Sequence, residues 1–398
     1  YVSLYVFLVL RARRTSVGWT WPLLCMAPAT YIAWSVFGAV YDMSFTVELV
    51  HVLKKRMSPW DMEHNFPYLP GYPVVLMPVV WMSQSADSIA MGAKSLNLAF
   101  LIWFGVMAGR IAFPKASDST WRGALYFSCH PLLVAVSLWH GQFEIVVVTV
   151  LLLSMIYWQS ARTDENVLGG FLYGLAVSVK HWPLLALPIL ICGPARRIPR
   201  LFAGALAGVI GILGLHLVLN GSFAHFSRIL AYSGIPSGVG MLQAFWLREP
   251  PGWNLLCAAV ALAAGMAIRL KGARVAEAGM FTVLFFLLLS YRTAPQYWVW
   301  FLAFAPFCVS GREGLFWLTS GSLAGIVILL EWGFVLGWQG NYPHATWQGN
   351  YPHLRSYPHL SSAALSLFEL FWRPLFLVAV ISAGLWYYQS YRAHAARD

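Results

Sequence analysis

The sequence predicts an all-α, polytopic membrane protein of one membrane domain, 1–398, with about twelve transmembrane helices and an interfacial or re-entrant helix in its first outer loop. Three observations predict it. The chain is 59% hydrophobic and only 10% charged, more apolar surface than a soluble core of 398 residues needs. Apolar runs recur at close to the ~20 residues that cross a hydrocarbon layer, where an open chain must satisfy its own backbone as helix. Lys and Arg gather in short loops on one side of those runs, the pattern of cytoplasmic loops.

Arg11, Arg13 and Arg14 precede the first clear span, Trp19–Tyr41, which places the N-terminal side in the cytoplasm and Asp42 outside. Residues 42–90 form the first extracytoplasmic loop. Within it, Tyr72–Ser85 is apolar but Pro-rich and too short to span. Counting it as a span would also carry Arg110, Lys115 and Arg122 to the outside. It is therefore expected to be the interfacial helix. The second span is Met91–Ala112. Further spans are expected near 123–138, 145–160, 167–179, 182–193, 199–219, 253–270, 277–290, 296–309, 314–338 and 362–387, with both termini inside. On this reading 16 of the 26 cations lie in inside loops, so the asymmetry runs one way. The segments around Lys180 are short and interrupted by Pro183 and Pro188. Irregular backbone at membrane depth occurs only where it is buried in protein or lines a cavity.

The outer loops 220–252 and 339–361 complete the outer face. The second holds a tandem repeat, WQGNYPHAT and WQGNYPHLR, followed by SYPHL. It brings His344, His353 and His359 without an accompanying carboxylate, so a slipped-repeat loop is favoured over a metal site. The net charge of +11 would suit nucleic acid in a soluble protein. Here cytoplasmic loops account for it, and no nucleic acid is expected. Five cysteines all fall inside apolar runs without C-x-x-C spacing and read as small core residues. No cleavable leader is visible, and Tyr1–Leu10 is expected to be the remnant of a longer N-terminus.

The one dense cluster of ionisable groups is Tyr41–Pro73, with Asp42, Glu48, Asp61, Glu63 and the run Lys54-Lys55-Arg56. Three other polar segments fall on the same outer face: WHGQFE (Trp139–Glu144), Lys180-His181-Trp182-Pro183, and Tyr291–Tyr297 around Arg292. Ionisable groups at membrane depth are costly and mark functional pathways. Each has a bland alternative. Asp42 could simply end a helix at the interface. Glu48 reads as solvated or paired with Lys54 or Lys55. His140 and Glu144 at i,i+4 suit a hydrogen-bonded junction better than a metal, for which two ligands are too few. Lys180 either binds an anion or needs a dedicated partner. Arg292 could snorkel as an anchor.

The order of these segments resembles the GT-C superfamily of polytopic glycosyltransferases, which take sugar from a polyprenyl or dolichyl phosphate. It is closest to the GPI mannosyltransferase I type and related bacterial mannosyltransferases. The resemblance rests on Asp42 after the first span, Ser58-Pro59-Trp60, the close Tyr68-Leu69-Pro70-Gly71-Tyr72-Pro73, WHGQFE, VSVKHWPLLALPIL and TAPQYWVWFLAF. It covers about 40–310. It implies a GT-C-like fold, an active site on the outer side, and a lipid-phosphate sugar as donor with a glycolipid or glycan acceptor. Met43 and Ser44 follow Asp42 where many relatives carry a second acid, and Glu144 stands where they carry Asn or Asp. Metal dependence is therefore left open, and no cofactor is expected.

A sugar on a lipid phosphate has a good leaving group, so no general acid is needed. The acceptor hydroxyl does need a base, and Asp42 is the candidate. Lys180, Arg292 and His181 are expected to hold the donor phosphate. Glu48, Tyr68, Tyr72, His140, Gln142, Glu144, Gln296 and Tyr297 are expected to support or bind substrate. One base without a nucleophile predicts inversion. The short loops point to a bacterial plasma membrane, with the endoplasmic reticulum as the alternative. Two other classes compete. A non-catalytic subunit, associated with a membrane partner, would keep the fold and lose the reaction. A transporter or flippase would show broken helices in paired positions, and only one broken region is visible.

Overall fold

The computed structural model describes residues 1–308 apart from 13–14, 36–40, 63–65, 140, 161, 193–196, 228, 230–251 and 291–294; the side chains of Asp42, Trp139 and Gln296 also lie outside the description. The last two expected spans, the histidine repeat, most of the 220–252 loop, His140 and Arg292 thus fall outside it. Among the described residues every regular element is helical.

Helices α1 (Val2–Ala12), α2 (Thr20–Ser35), α3 (Tyr41–Lys54), α4 (Gly71–Met82) and α5 (Ala86–Ala112) come first. Within α1, Tyr5 donates to the Tyr126 carbonyl at 3.0 Å and is buried. The first outer loop opens as helix, so Asp42 sits in the first turn of α3. The expected interfacial helix is α4. Trp81 and Met82 near its end are exposed, and Lys54 donates to the Ser83 carbonyl just beyond them. Helix α5 starts earlier than the sequence suggests, because Ser85 and Ser88 form a reciprocal capping box.

Residues 123–138, expected as one span, are broken. Short α6 (Ser119–Gly123) runs into a π turn, the chain breaks at Cys129-His130, and α7 (Pro131–Val134) restarts it before a second π turn ends at Trp139. Pro131 lacks an N–H and begins a helix without cost there. The pair α8 (Glu144–Gln159) and α9 (Thr163–Val179) follows. After it come a 3-10 turn (Trp182–Ala186), α10 (Leu187–Ile191) and α11 (Ile198–Asn220). Then come α12 (Trp253–Leu270), α13 (Val275–Leu289), a 3-10 stretch (Pro295–Ala303) and α14 (Ala305–Cys308).

Three of these helices, α5, α11 and α12, are long and apolar enough to cross a membrane. Leu206, Ile210, Val218 and Leu255 on α11 and α12 are exposed, as a lipid-facing surface requires. The other apolar helices are shorter or broken.

Helix contacts are made by small residues rather than by a hydrophobic drive, which lipid does not supply. Gly170 and Gly174 on α9 face Gly204 and Gly208 on α11, a G-x-x-x-G on each side. A Cβ on Gly174 would strike the Ala205 carbonyl, and one on Gly204 the Val167 carbonyl. Gly211 and Gly214, further along α11, have nothing within 4 Å.

The face at the C-terminal end of α5 is tied together by Asp118. It accepts from the Val17 N–H at 2.6 Å and from Arg122 Nε at 2.7 Å, while Arg122 also donates to the carbonyls of Ala12 and Thr15. The basic segment before α2 and the loop after α5 therefore share one face, as the charge pattern requires. With 27 residues at ~1.5 Å rise, α5 puts that face about 40 Å from its N-terminal end. Burial of the Asp118 carboxyl pushes its pKa up, but the bonds from Arg122 and Val17 outweigh this and hold it below the usual value.

Two outcomes follow for protein in detergent. Gly204→Leu lowers thermal stability by about 1–3 kcal/mol or more through overpacking, whereas Gly214→Leu, facing open space, leaves the melting temperature within about a degree. A depressed carboxyl pKa stabilises above the unfolded value of ~3.9 and loses that contribution as pH falls through the folded value. Melting temperatures from pH 7 to pH 3 are thus expected to fall further for the wild type than for Asp118→Asn.

Candidate functional site

Glu144 is the first residue of α8, where the free N–H groups and the helix dipole favour a carboxylate. Lys180 follows the last residue of α9, where the dipole favours a cation. The two helices pack antiparallel, so these ends meet, and Lys180 Nζ donates to Glu144 Oε1. Glu144 is 0% exposed and Lys180 4%. The second carboxylate oxygen accepts from Trp300 Nε1 at 2.9 Å. The Trp182 indole also faces this carboxylate but lacks hydrogen-bond geometry.

The ammonium sits among three ring faces, 5.2 Å from the centroid of Tyr68, 5.4 Å from Phe143 and 5.3 Å from Tyr297. Cation–π attraction of this kind contributes ~0.5–2 kcal/mol per ring, more as water is excluded. The rings brace one another. Tyr72 stacks on Phe143 at 3.6 Å, Tyr297 on Trp300 at 4.5 Å, and Trp182 on Trp300 at 4.9 Å. Backbone around Lys180 turns extended before Pro183, and the Tyr173 hydroxyl holds the Pro183 carbonyl at 2.9 Å.

Sequence-distant segments close on this cage. A Cβ on Gly71 would come within 2.6 Å of the Ser178 backbone, so the Pro70-Gly71-Tyr72 turn rests directly on the end of α9. Thr46 on α3 bonds the Tyr72 hydroxyl at 3.0 Å. Met43, next to Asp42, is fully buried, and its methyl occupies the space over Gly141 that a Cβ there would need. The Asp42 turn thus lies against the WHGQFE junction. Asn97 on α5 pins that junction through the carbonyls of Ser137, Gly141 and Gln142 at 2.9, 3.1 and 3.1 Å.

Of the residues expected from the sequence, Lys180, Glu144, Tyr68, Tyr72 and Tyr297 come together in the cage. Gln142 is buried beside it with its side-chain oxygen unbonded. His181 is exposed, and Glu48 is half-buried on α3. The Arg292, His140, Asp42 and Gln296 side chains lie outside the description. Glu144 is engaged on both oxygens, by Lys180 and by Trp300.

Ser58-Pro59-Trp60 has an anchoring role. Trp60 is enclosed by Phe66, His216, Phe223 and Phe226, Ser58 bonds the Ala224 carbonyl at 2.6 Å, and Asp61 pairs with His225. Sequence reasoning passes over Lys94 and Asn97, although a lysine within an apolar span was the available signal. Lys94 is 3% exposed, and its Cε lies beside Gly141.

The profile of glycosyltransferase family 87 matches residues 66–291, more than half of the chain. The match takes in Tyr68, Lys94, the WHGQFE junction and Lys180. No curated protein matches the chain.

Removing one member of a buried pair strands the other charge and costs ~3–5 kcal/mol. Glu144→Gln and Lys180→Met are each expected to lower thermal stability by this order in detergent. The double variant recovers most of the loss, because no uncompensated charge remains.

Proposed function

The chain belongs to glycosyltransferase family 87, and from that premise we propose that it is an inverting membrane glycosyltransferase. It moves a sugar, with mannose expected, from a polyprenyl-phosphate donor to a hydroxyl on a glycolipid or glycan at the outer face. The mannosyltransferase subtype and a bacterial plasma membrane belong to this reading.

One observation carries it: a buried lysine ammonium, held by Glu144 and three ring faces, with one hydrogen bond in place. An ammonium has three donors; among the described residues one of those of Lys180 is taken, by Glu144, which leaves two for phosphate oxygens. Glu144 supplies the opposite charge that a buried ammonium in an apolar setting requires. Arg292, which precedes the 3-10 stretch carrying Tyr297 and Trp300, supplies the second cation.

The acceptor oxygen attacks the anomeric carbon as the bond from that carbon to the phosphate oxygen breaks. The electron pair leaves on the phosphate, where Lys180 and Arg292 stabilise it. The hydroxyl proton passes to Asp42. The products are the glycoside, with inverted configuration, and polyprenyl phosphate.

The closed Glu144–Lys180 pair also supports a second reading, a non-catalytic membrane subunit in which that pair is only structural.

Purified protein supplied with [14C]-labelled polyprenyl-phosphate sugars and octyl mannoside separates the two. Transfer by wild type, lost at least ~100-fold in Asp42→Asn, is expected. Lys180→Met is expected to raise the donor KM. No transfer with any donor overturns the enzyme in favour of the subunit.

A further inference from the structure

Lys94 is the second buried lysine of this region, and the proposed reaction leaves it without a task. It lies on α5, one turn before Asn97, and is 3% exposed. A lysine inside a spanning helix is expensive to keep unless something requires it.

Its position is set by Gly141. That residue has φ +79°, a left-handed conformation that glycine adopts readily. A Cβ there would strike the Met43 methyl and lie 3.8 Å from Lys94 Cε. The missing side chain therefore lets two groups in, from α3 and from α5. Met43 follows Asp42 directly, so the Lys94 chain ends near the methyl of a residue in the first turn of α3.

Charge balance points the same way. With donor bound, the reading above places three negative charges in an apolar region: the phosphodiester, Glu144 and Asp42. Lys180 answers Glu144, and Arg292 answers the phosphate. Asp42 needs a cation of its own, because an unaccompanied carboxylate in such surroundings takes up a proton and no longer acts as a base.

We propose that Lys94 is a positioning residue for catalysis, supplying the positive charge that keeps the base at the start of α3 ionised. The inference rests on the proposed function and on Asp42 as its base. Other titratable groups on the elements packed against α3 are few. Tyr72 lies on α4, Asp61 of the 59–61 turn is paired with His225, and Asp87 and Arg110 lie near the two ends of α5. Glu48, His51 and Lys54 are on α3 itself. Lys94 is the cation among them that reaches Gly141.

The test is the pH profile of kcat/KM, with whichever labelled polyprenyl-phosphate sugar the wild type uses and octyl mannoside as acceptor. Loss of a nearby cation raises a carboxyl pKa, so the acidic limb in Lys94→Met is expected to move up by about 1–3 pH units. Lys94→Arg returns it. Lys94→Gln replaces the methionine variant if the latter does not fold. An unmoved limb, with or without a raised donor KM, overturns the proposal even where Asp42→Asn abolishes transfer. Retention of transfer by Asp42→Asn removes the base itself and the role of Lys94 with it. Absence of transfer by the wild type overturns both readings together.

Discussion

A carboxylate and an ammonium buried between helices must find each other, and this pairing governs the part of the protein around it. Glu144 and Lys180 are each nearly fully excluded from solvent, so α8 must begin where α9 ends. The helix dipoles favour both charges at these positions. Once the pair is fixed, the rest of the cage has little freedom. Trp300 must reach the second carboxylate oxygen, the Tyr68-to-Tyr72 turn must seat on α9 through Gly71, and Phe143 must stand between the tyrosines. Backbone-to-backbone contact at the α9–α11 glycines brings α11 against the same helix.

Much of this was legible in the sequence. Lys180 among apolar residues announces either an anion or a partner, and the Pro183 break beside it marks irregular backbone inside protein. The short Pro-rich segment after Tyr72 forms a helix of 12 residues, shorter than those long enough to cross a membrane. The basic segments before α2 and after α5 share a face, as their charge implies. Other features are invisible to periodicity. That Lys180 meets Glu144 depends on which helix ends are neighbours, a tertiary fact. The break at Cys129-His130 follows from packing of π turns against α5, which a hydropathy window averages into one span. Asn97 looks like a tolerated polar residue until three carbonyls of a distant junction are found around its amide.

The two buried lysines reach the 141–144 junction from different helices, Lys180 from the end of α9 and Lys94 from α5. On the proposed reaction, a site that accepts a lipid phosphate and also holds a base faces opposite electrostatic demands a few residues apart. Separate cations, each with its own helix and neighbours, meet those demands without competing. The aromatic faces suit the lysine to which that reading gives the phosphate, since they stabilise the ammonium without occupying its hydrogen-bond donors. Met43 over Gly141 ties the α3 turn to the junction, so a shift of one element is felt by the other.

The central claim is that Lys180 receives the donor phosphate inside the aromatic cage. A cryo-electron microscopy map of the protein saturated with polyprenyl phosphate tests it most directly. The account predicts phosphate density within about 3.2 Å of the lysine nitrogen, with Tyr68 and Tyr297 flanking it. A phosphate bound elsewhere, with the Glu144–Lys180 pair undisturbed and no density between the rings, would contradict it and leave the pair a purely structural bridge.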